Sequence, residues 1–178
     1  ARLIQELYLI RHGQPKVHGG AGYNVLPGPP LSEQGRAEAA AVAAFLADKG
    51  IQQLFASPFE RTTQTVGILA ERLDLPVTFA KPIAEMAPGE SFPQVRARVA
   101  EFLEGLEDTA FERVAIVSHG SPIREMLFHL SKEKIDLSKH NYLGGNCAPT
   151  CGVWHVRRGE NCRIFTLCFK PSPIPVNV

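Results

Sequence analysis

The chain has no apolar run long enough to cross a bilayer as a helix, which takes about 20 residues. The residues ahead of Leu7 also lack the charged-then-apolar layout of a secretory signal. These absences predict a cytoplasmic protein with no membrane partner. Net charge is missing as well: 19 lysines and arginines stand against 18 acids. No overall field therefore draws nucleic acid, and basic character has to be local. The four cysteines, Cys147, Cys151, Cys162 and Cys168, include no Cys-x-x-Cys pair. That spacing argues against a zinc site completed by His140 or His155, and for small buried thiols. Repeats, low-complexity blocks and a second-domain linker are absent too, so residues 1–178 are expected to form a single domain.

What is present is an ordinary globular composition, 44% apolar and 21% charged, in which short apolar runs alternate with helical periodicity. Leu7 to Ile10 reads as a buried strand, and Gln14 to Pro30, rich in Gly and Pro, as a long loop over a crevice. Ser32 is the expected N-cap of an alanine-rich helix running to about Lys49, with Gly50 as its C-terminal cap. Gln53 to Ala56 is a second strand, and a helix opens at Ser57-Pro58 with the stripe Val66, Leu69, Ala70, Leu73. Leu75 to Phe79 is a weaker strand. Ser91 caps a helix with Val95, Val99, Phe102, Leu103 and Leu106 inside, and Arg96 and Arg98 toward solvent.

Val114 to Ser118 is the next strand, followed by a helix bearing Ile123, Met126, Leu127 and Leu130. Val153 to Arg157 and Arg163 to Phe169 form a hairpin through Arg158-Gly159-Glu160-Asn161, with His155 as a structural residue. The tail from Pro171 is expected to be extended. This alternation predicts an α/β three-layer sandwich around a mostly parallel sheet with right-handed crossovers.

Two of these strands end on chemistry. The first delivers Arg11-His12-Gly13-Gln14 and the later one Ser118-His119-Gly120, with Pro122 opening a helix. In open α/β sheets the carboxyl ends of parallel strands are where ligands bind, so two imidazoles are expected in one crevice. With Ser57-Pro58-Phe59-Glu60-Arg61-Thr62-Thr63-Gln64-Thr65 between them, the chain resembles the histidine phosphatase superfamily, also called phosphoglycerate-mutase-like. That family shows Arg-His-Gly after its first strand, a Ser-x-x-x-Arg-x-x-x-Thr segment and a second histidine after a later strand. The resemblance runs from about Leu7 to the helix after His119.

The resemblance implies hydrolysis of a phosphomonoester, on a small molecule or a phosphoprotein, through a phosphohistidine on His12. Neutral His12 would attack phosphorus through one ring nitrogen while a backbone carbonyl holds the other. Arg11 and Arg61 would bind the phosphate as forks, His119 would add an imidazolium, and the helix N-terminus near Pro122 would face the same place. Gly13, Gln14, Ser118 and Gly120 are further expected substrate-binding positions. No metal or other cofactor is implied, since fixed cations do the electrostatic work. The family places its proton donor after the third strand, here Glu85. A longer insertion that often caps the pocket usually follows it, whereas here Pro88-Gly89-Glu90-Ser91 comes at once. The cap looks deleted, and Glu90 rivals Glu85. A phosphoglycerate-mutase-type phosphotransferase and a non-catalytic phospho-ligand binder stand as alternatives.

Overall fold

The structure, a computed structural model, describes residues 4–171; most of the tail expected to be extended lies outside them. In chain order the elements are β1 (Glu6–Arg11), α1 (Glu33–Leu46), β2 (Gln53–Ala56), α2 (Glu60–Leu73), β3 (Val77–Phe79), α3 (Phe92–Leu106), β4 (Arg113–Ser118), α4 (Gly120–Ser131), β5 (Val153–Arg158) and β6 (Arg163–Phe169). Two short 3₁₀ turns, Lys81–Ile83 and Leu143–Gly145, complete the set.

The sheet runs β3-β2-β4-β1-β5-β6. Its first four strands are parallel, and β5 and β6 form the antiparallel edge. β1 and β4 are buried on both faces, which is why they read as continuous apolar runs rather than alternating ones. Leu7, Leu9, Phe55, Val114 and Ile116 face α3 and α4, where Val95, Val99, Leu103, Ile123 and Met126 meet them. Tyr8, Ile10, Leu54, Ala115 and Val117 face α1 and α2, against Ala39, Val42, Leu46, Val66 and Leu69. Each such Leu, Ile or Val side chain, once fully buried, contributes roughly 1.5–3 kcal/mol. The result is the expected three-layer α/β sandwich.

Boundaries shift where side chains are drawn elsewhere. α1 ends at Leu46, three residues early, because its last turn tightens: Ala47 N–H bonds Ala44 O and Lys49 N–H bonds Leu46 O. Gly50, at φ 70°, sits in the turn beyond. α2 starts at Glu60, since Ser57 still belongs to the sheet end, its N–H bonding Val117 O. β3 is only Val77–Phe79, as Leu75 N–H bonds back to Ala70 O around the left-handed Asp74. α4 begins at Gly120 with His119 as its N-cap, ahead of Pro122.

Arg96 and Arg98 are half-buried and paired rather than free in solvent. Arg96 pairs with Glu125 and Glu133, and Arg98 reaches Glu90 and the carbonyls of Pro82 and Glu85. Among the cysteines, Cys147 and Cys151 are buried as expected, Cys168 is half-buried and Cys162 is exposed in the β5–β6 turn. His155 plays the structural part foreseen, bonding Glu6 at 2.8 Å and lying against the Tyr8 ring.

Candidate active site

The register of the sheet brings the motifs together. Arg11 pairs with Ser118 across β1 and β4, His12 N–H bonds Ser118 O at 3.0 Å, and Ser57 N–H bonds Val117 O at 3.0 Å. Three strand ends therefore converge, and the His12 and His119 rings lie with centroids 5.2 Å apart.

His12 is buried, with Nδ1 2.8 Å from Gly13 O. A carbonyl only accepts, so Nδ1 carries the proton and Nε2 keeps its lone pair. Arg61 Nε–H approaches that lone pair at 3.3 Å. Burial first, then the His119 ring and the Arg11 and Arg61 charges, hold the His12 pKa well below 6.5, so the ring is neutral at physiological pH. Behind it, Gly13 N–H donates to Thr65 Oγ1 at 3.0 Å. Gly13 has to be glycine, because a Cβ there would stand 2.6 Å from Gly35 O on α1.

Arg61 is fully buried. Its Nη1 donates to Tyr23 O at 3.0 Å, its Nη2 to Glu85 Oε2 at 3.1 Å, and the Tyr23 ring lies 4.2 Å from the guanidinium carbon. The loop thus folds over this cation, and Gly28, at φ 70°, packs so closely that a Cβ would meet Nη1 at 2.6 Å. Arg11 donates from Nη1 to Ala148 O at 2.9 Å, while its buried Nε has no partner. An unpaired buried N–H costs free energy unless something is bound there.

His119 Nε2 is hydrogen-bonded to Ser57 Oγ at 2.7 Å. Its Nδ1 is 3.3 Å from Glu85 Oε2, an ion-pair separation without hydrogen-bond alignment. Burial lowers the His119 pKa below 6.5 even though Glu85 pulls it up. Burial works to raise Glu85, but the His119 ring, the Met86 N–H and the Arg61 guanidinium outweigh it, pulling its pKa down to about 2. Glu90 turns away: Arg98 grips both its oxygens, at 2.8 and 2.9 Å.

A cleft of about 430 Å³ opens here, lined by Arg11, His12, His18, Tyr23, Asn24, Glu85, Met86, Gly120, Ser121 and Asn146 among others. Gly120 lies on it, and a Cβ there would run into the Asn146 side chain. Gln14 and Ser118 do not line it. Gln14 is held from outside, its Oε1 accepting from Ser32 Oγ at 2.8 Å and its N–H donating to Glu38 Oε1 at 2.8 Å. Ser118 is buried and donates to Ile83 O at 2.7 Å, which fixes the segment leading to Glu85. Both adjoin the motifs, but their side chains are turned to these partners and away from the cleft.

The sequence reading assigned no role to Ser57, Tyr23 or the Ala148 carbonyl. Ser57 alone had a signal, as the first residue of the segment containing Arg61. A larger concavity of about 530 Å³ lies at the opposite end of the sheet, beside the end of α4 and the β5–β6 turn. Its Arg158 and Arg163 are paired with Glu107, and it contains none of the site histidines.

His12, Glu85 and His119 offer ligand atoms within 4.8 Å of one another. A divalent ion there would have to displace Arg61 from Glu85 and sit beside two guanidinium groups, so the charge arrangement suits an anion.

The model of the histidine phosphatase superfamily (branch 1) matches residues 7–89 and 79–165. The chain belongs to this superfamily. Phosphoserine phosphatase 1 of Hydrogenobacter thermophilus is 27% identical over 190 residues, covering 88% of this chain and 89% of that protein. An uncharacterised Mycobacterium tuberculosis protein is 40% identical over 82 residues, a match spanning 46% of this chain and only 41% of that relative. Among solved structures, a mycobacterial glucosyl-3-phosphoglycerate phosphatase complexed with VO3 superposes with a TM-score of 0.71 at 20% identity, over 93% of this chain and 98% of its own. Superfamily membership agrees with the shared strand-end placement of Arg11, His12 and His119. None of the helices is long and apolar enough to cross a membrane among the described residues.

Proposed function

We propose that the protein hydrolyses phosphomonoesters through a covalent phosphohistidine on His12. One observation carries the reading: a neutral imidazole, tied at Nδ1 to Gly13 O, presents Nε2 to the buried Arg61 guanidinium, with the Arg11 charge also acting on the ring. A neutral nucleophile flanked by fixed cations is what attack on an anionic phosphorus requires. The relatives named as phosphatases support it.

In the first step Nε2 of His12 forms a bond to phosphorus as the ester P–O bond breaks. Arg11 and Arg61 bind the non-bridging oxygens, and the α4 N-terminus adds its partial charge. The departing alkoxide takes a proton from Glu85. Because Arg61 and His119 hold Glu85 ionised in this structure, the proton has to arrive with the substrate. A phosphate monoanion brings one, and as Arg61 turns from Glu85 to the phosphate, the added negative charge raises the Glu85 pKa to receive it.

In the second step Glu85 takes a proton from water, the hydroxide bonds to phosphorus, and the N–P bond breaks. Inorganic phosphate and neutral His12 are restored. The cations supply the charge stabilisation, so the reading includes no metal.

Phosphate release from a panel of esters, from p-nitrophenyl phosphate to sugar phosphates and phosphopeptides, with EDTA present, tests this. Release by the wild type and its loss in His12→Ala by several orders of magnitude are expected. Activity that disappears on chelation and returns with Zn²⁺ or Mg²⁺ contradicts it.

A further inference from the structure

On the side of the 14–30 loop, the cleft adjoins a second concavity of about 370 Å³, the two sharing Gly19 and Tyr23. Its wall has no charged side chain and is built from the loop itself, with Val17, Val25 and Leu26 prominent. Those three are 58%, 53% and 53% exposed, and Leu143 at the cleft is 72% exposed. Of the seven large apolar side chains exposed among the described residues, these four gather around the cleft and its neighbour. Clustered apolar exposure beside a reactive site is a binding feature more than an accident of surface composition.

The loop is also held in place. Lys16 N–H bonds Pro30 O at 2.9 Å, Glu60 N–H bonds Pro27 O at 2.8 Å, and Tyr23 is bound to Arg61 through both its carbonyl and its ring. The concavity is therefore shaped in advance of binding.

Charge narrows the occupant further. Beyond the groups assigned to phosphate chemistry, the cleft presents His18, Asn24, Ser121 and Asn146, together with Met86 and Leu143. Burial and the two arginines lower the His18 pKa, which keeps it uncharged at neutral pH. No lysine, and no arginine besides Arg11, lines the cleft among the described residues. A carboxylate on the leaving group would meet Glu85 and find no spare cation.

Resting on the phosphatase reading, we propose that cleft and concavity form one site for phosphomonoesters whose leaving group is uncharged and apolar. The phosphate lies at His12, and the apolar chain or ring lies against Val17, Val25 and Leu26. This separates the protein from a relative named for phosphoserine, whose leaving group carries a carboxylate.

Straight-chain alkyl phosphates test the proposal cleanly, because their alcohols are nearly equal leaving groups and differ only in apolar length. From ethyl through butyl to hexyl phosphate, kcat/KM is expected to rise by about tenfold or more in total. Full burial would give about fourfold per methylene. The matching alkylphosphonates, which cannot turn over, are expected to inhibit with Ki falling along the same series. Val25→Ser combined with Leu26→Ser, checked for an unchanged melting temperature, should bring the hexyl-to-ethyl ratio toward one. 3-Phosphoglycerate and phosphoserine should be poorer substrates than butyl phosphate. Equal kcat/KM and equal Ki across the series overturn the proposal and leave the phosphatase reading standing. So does an undiminished ratio in the double variant. Absence of phosphate release from every ester, alkyl and aryl alike, defeats the phosphatase reading itself.

Discussion

Arg61 Nη2 and Glu85 Oε2 stand 3.1 Å apart, so the cation proposed to bind phosphate also holds the proposed proton donor in its ionised form. In the proposed mechanism this contact couples substrate binding to proton delivery. As the guanidinium moves from carboxylate to phosphate, the carboxylate loses its counterion beside a new anion, and both changes favour protonation.

The coupling predicts an effect that depends on the leaving group. A nitrophenolate departs almost unaided, whereas an alkoxide needs its proton. Glu85→Gln is expected to slow alkyl phosphate hydrolysis by about 100-fold or more and to slow p-nitrophenyl phosphate far less. Glu90→Gln should change both little, because Glu90 spends its two oxygens on Arg98. Steady-state kinetics on both substrates settles the assignment. The reverse ranking transfers the role to Glu90.

Ser57 should act through His119. Its hydroxyl is hydrogen-bonded to Nε2 at 2.7 Å and so fixes the ring with Nδ1 toward Glu85. Ser57→Ala leaves a buried ring nitrogen without its partner, a loss worth about 1–3 kcal/mol. A fall in kcat of about tenfold is expected on that scale, with a displaced pH profile, which loss of packing alone would not produce. An unchanged profile with a lower melting temperature would reduce Ser57 to a structural role.

The histidines also make the fold sensitive to acid. His12 and His119 have folded pKa values below the 6.5 of the unfolded chain, mainly through burial. Below pH 6.5 the unfolded state then binds more protons, so stability is full above that pH and is lost as pH falls toward the folded values. Each group contributes at most about 1.4 kcal/mol per pH unit. Glu38, raised by its burial, works with the opposite sign. Urea unfolding at pH 7.5 and 5.5 should show the decline, reduced in His119→Gln; a protein more stable at pH 5.5 would contradict it.

Much of this architecture was legible in the sequence because sheet strands buried on both faces announce themselves. The apolar runs Leu7 to Ile10 of β1 and Val114 to Val117 of β4 end abruptly on Arg11-His12-Gly13 and Ser118-His119-Gly120, which marks the crevice. The misreadings share a cause, which is partnership with segments distant in sequence. Arg96 and Arg98 lie off the apolar stripe of α3, and only the approach of Glu125, Glu133 and the 82–90 segment draws them partly out of solvent. Gln14 was placed by its nearness to His12, but Ser32 and Glu38 on the α1 side hold it away. The ionised state of Glu85 depends on its distances to Arg61 and His119 on different elements, which spacing along the chain does not encode.

The central claim is that His12 Nε2 carries the phosphoryl group. The direct measurement is to mix the enzyme with ³²P-labelled phosphomonoester, quench within the first turnovers, and map the label by peptide mass spectrometry under alkaline conditions. The account predicts an acid-labile, base-stable phosphate on His12, absent from His12→Ala; label on a serine or an aspartate would contradict it.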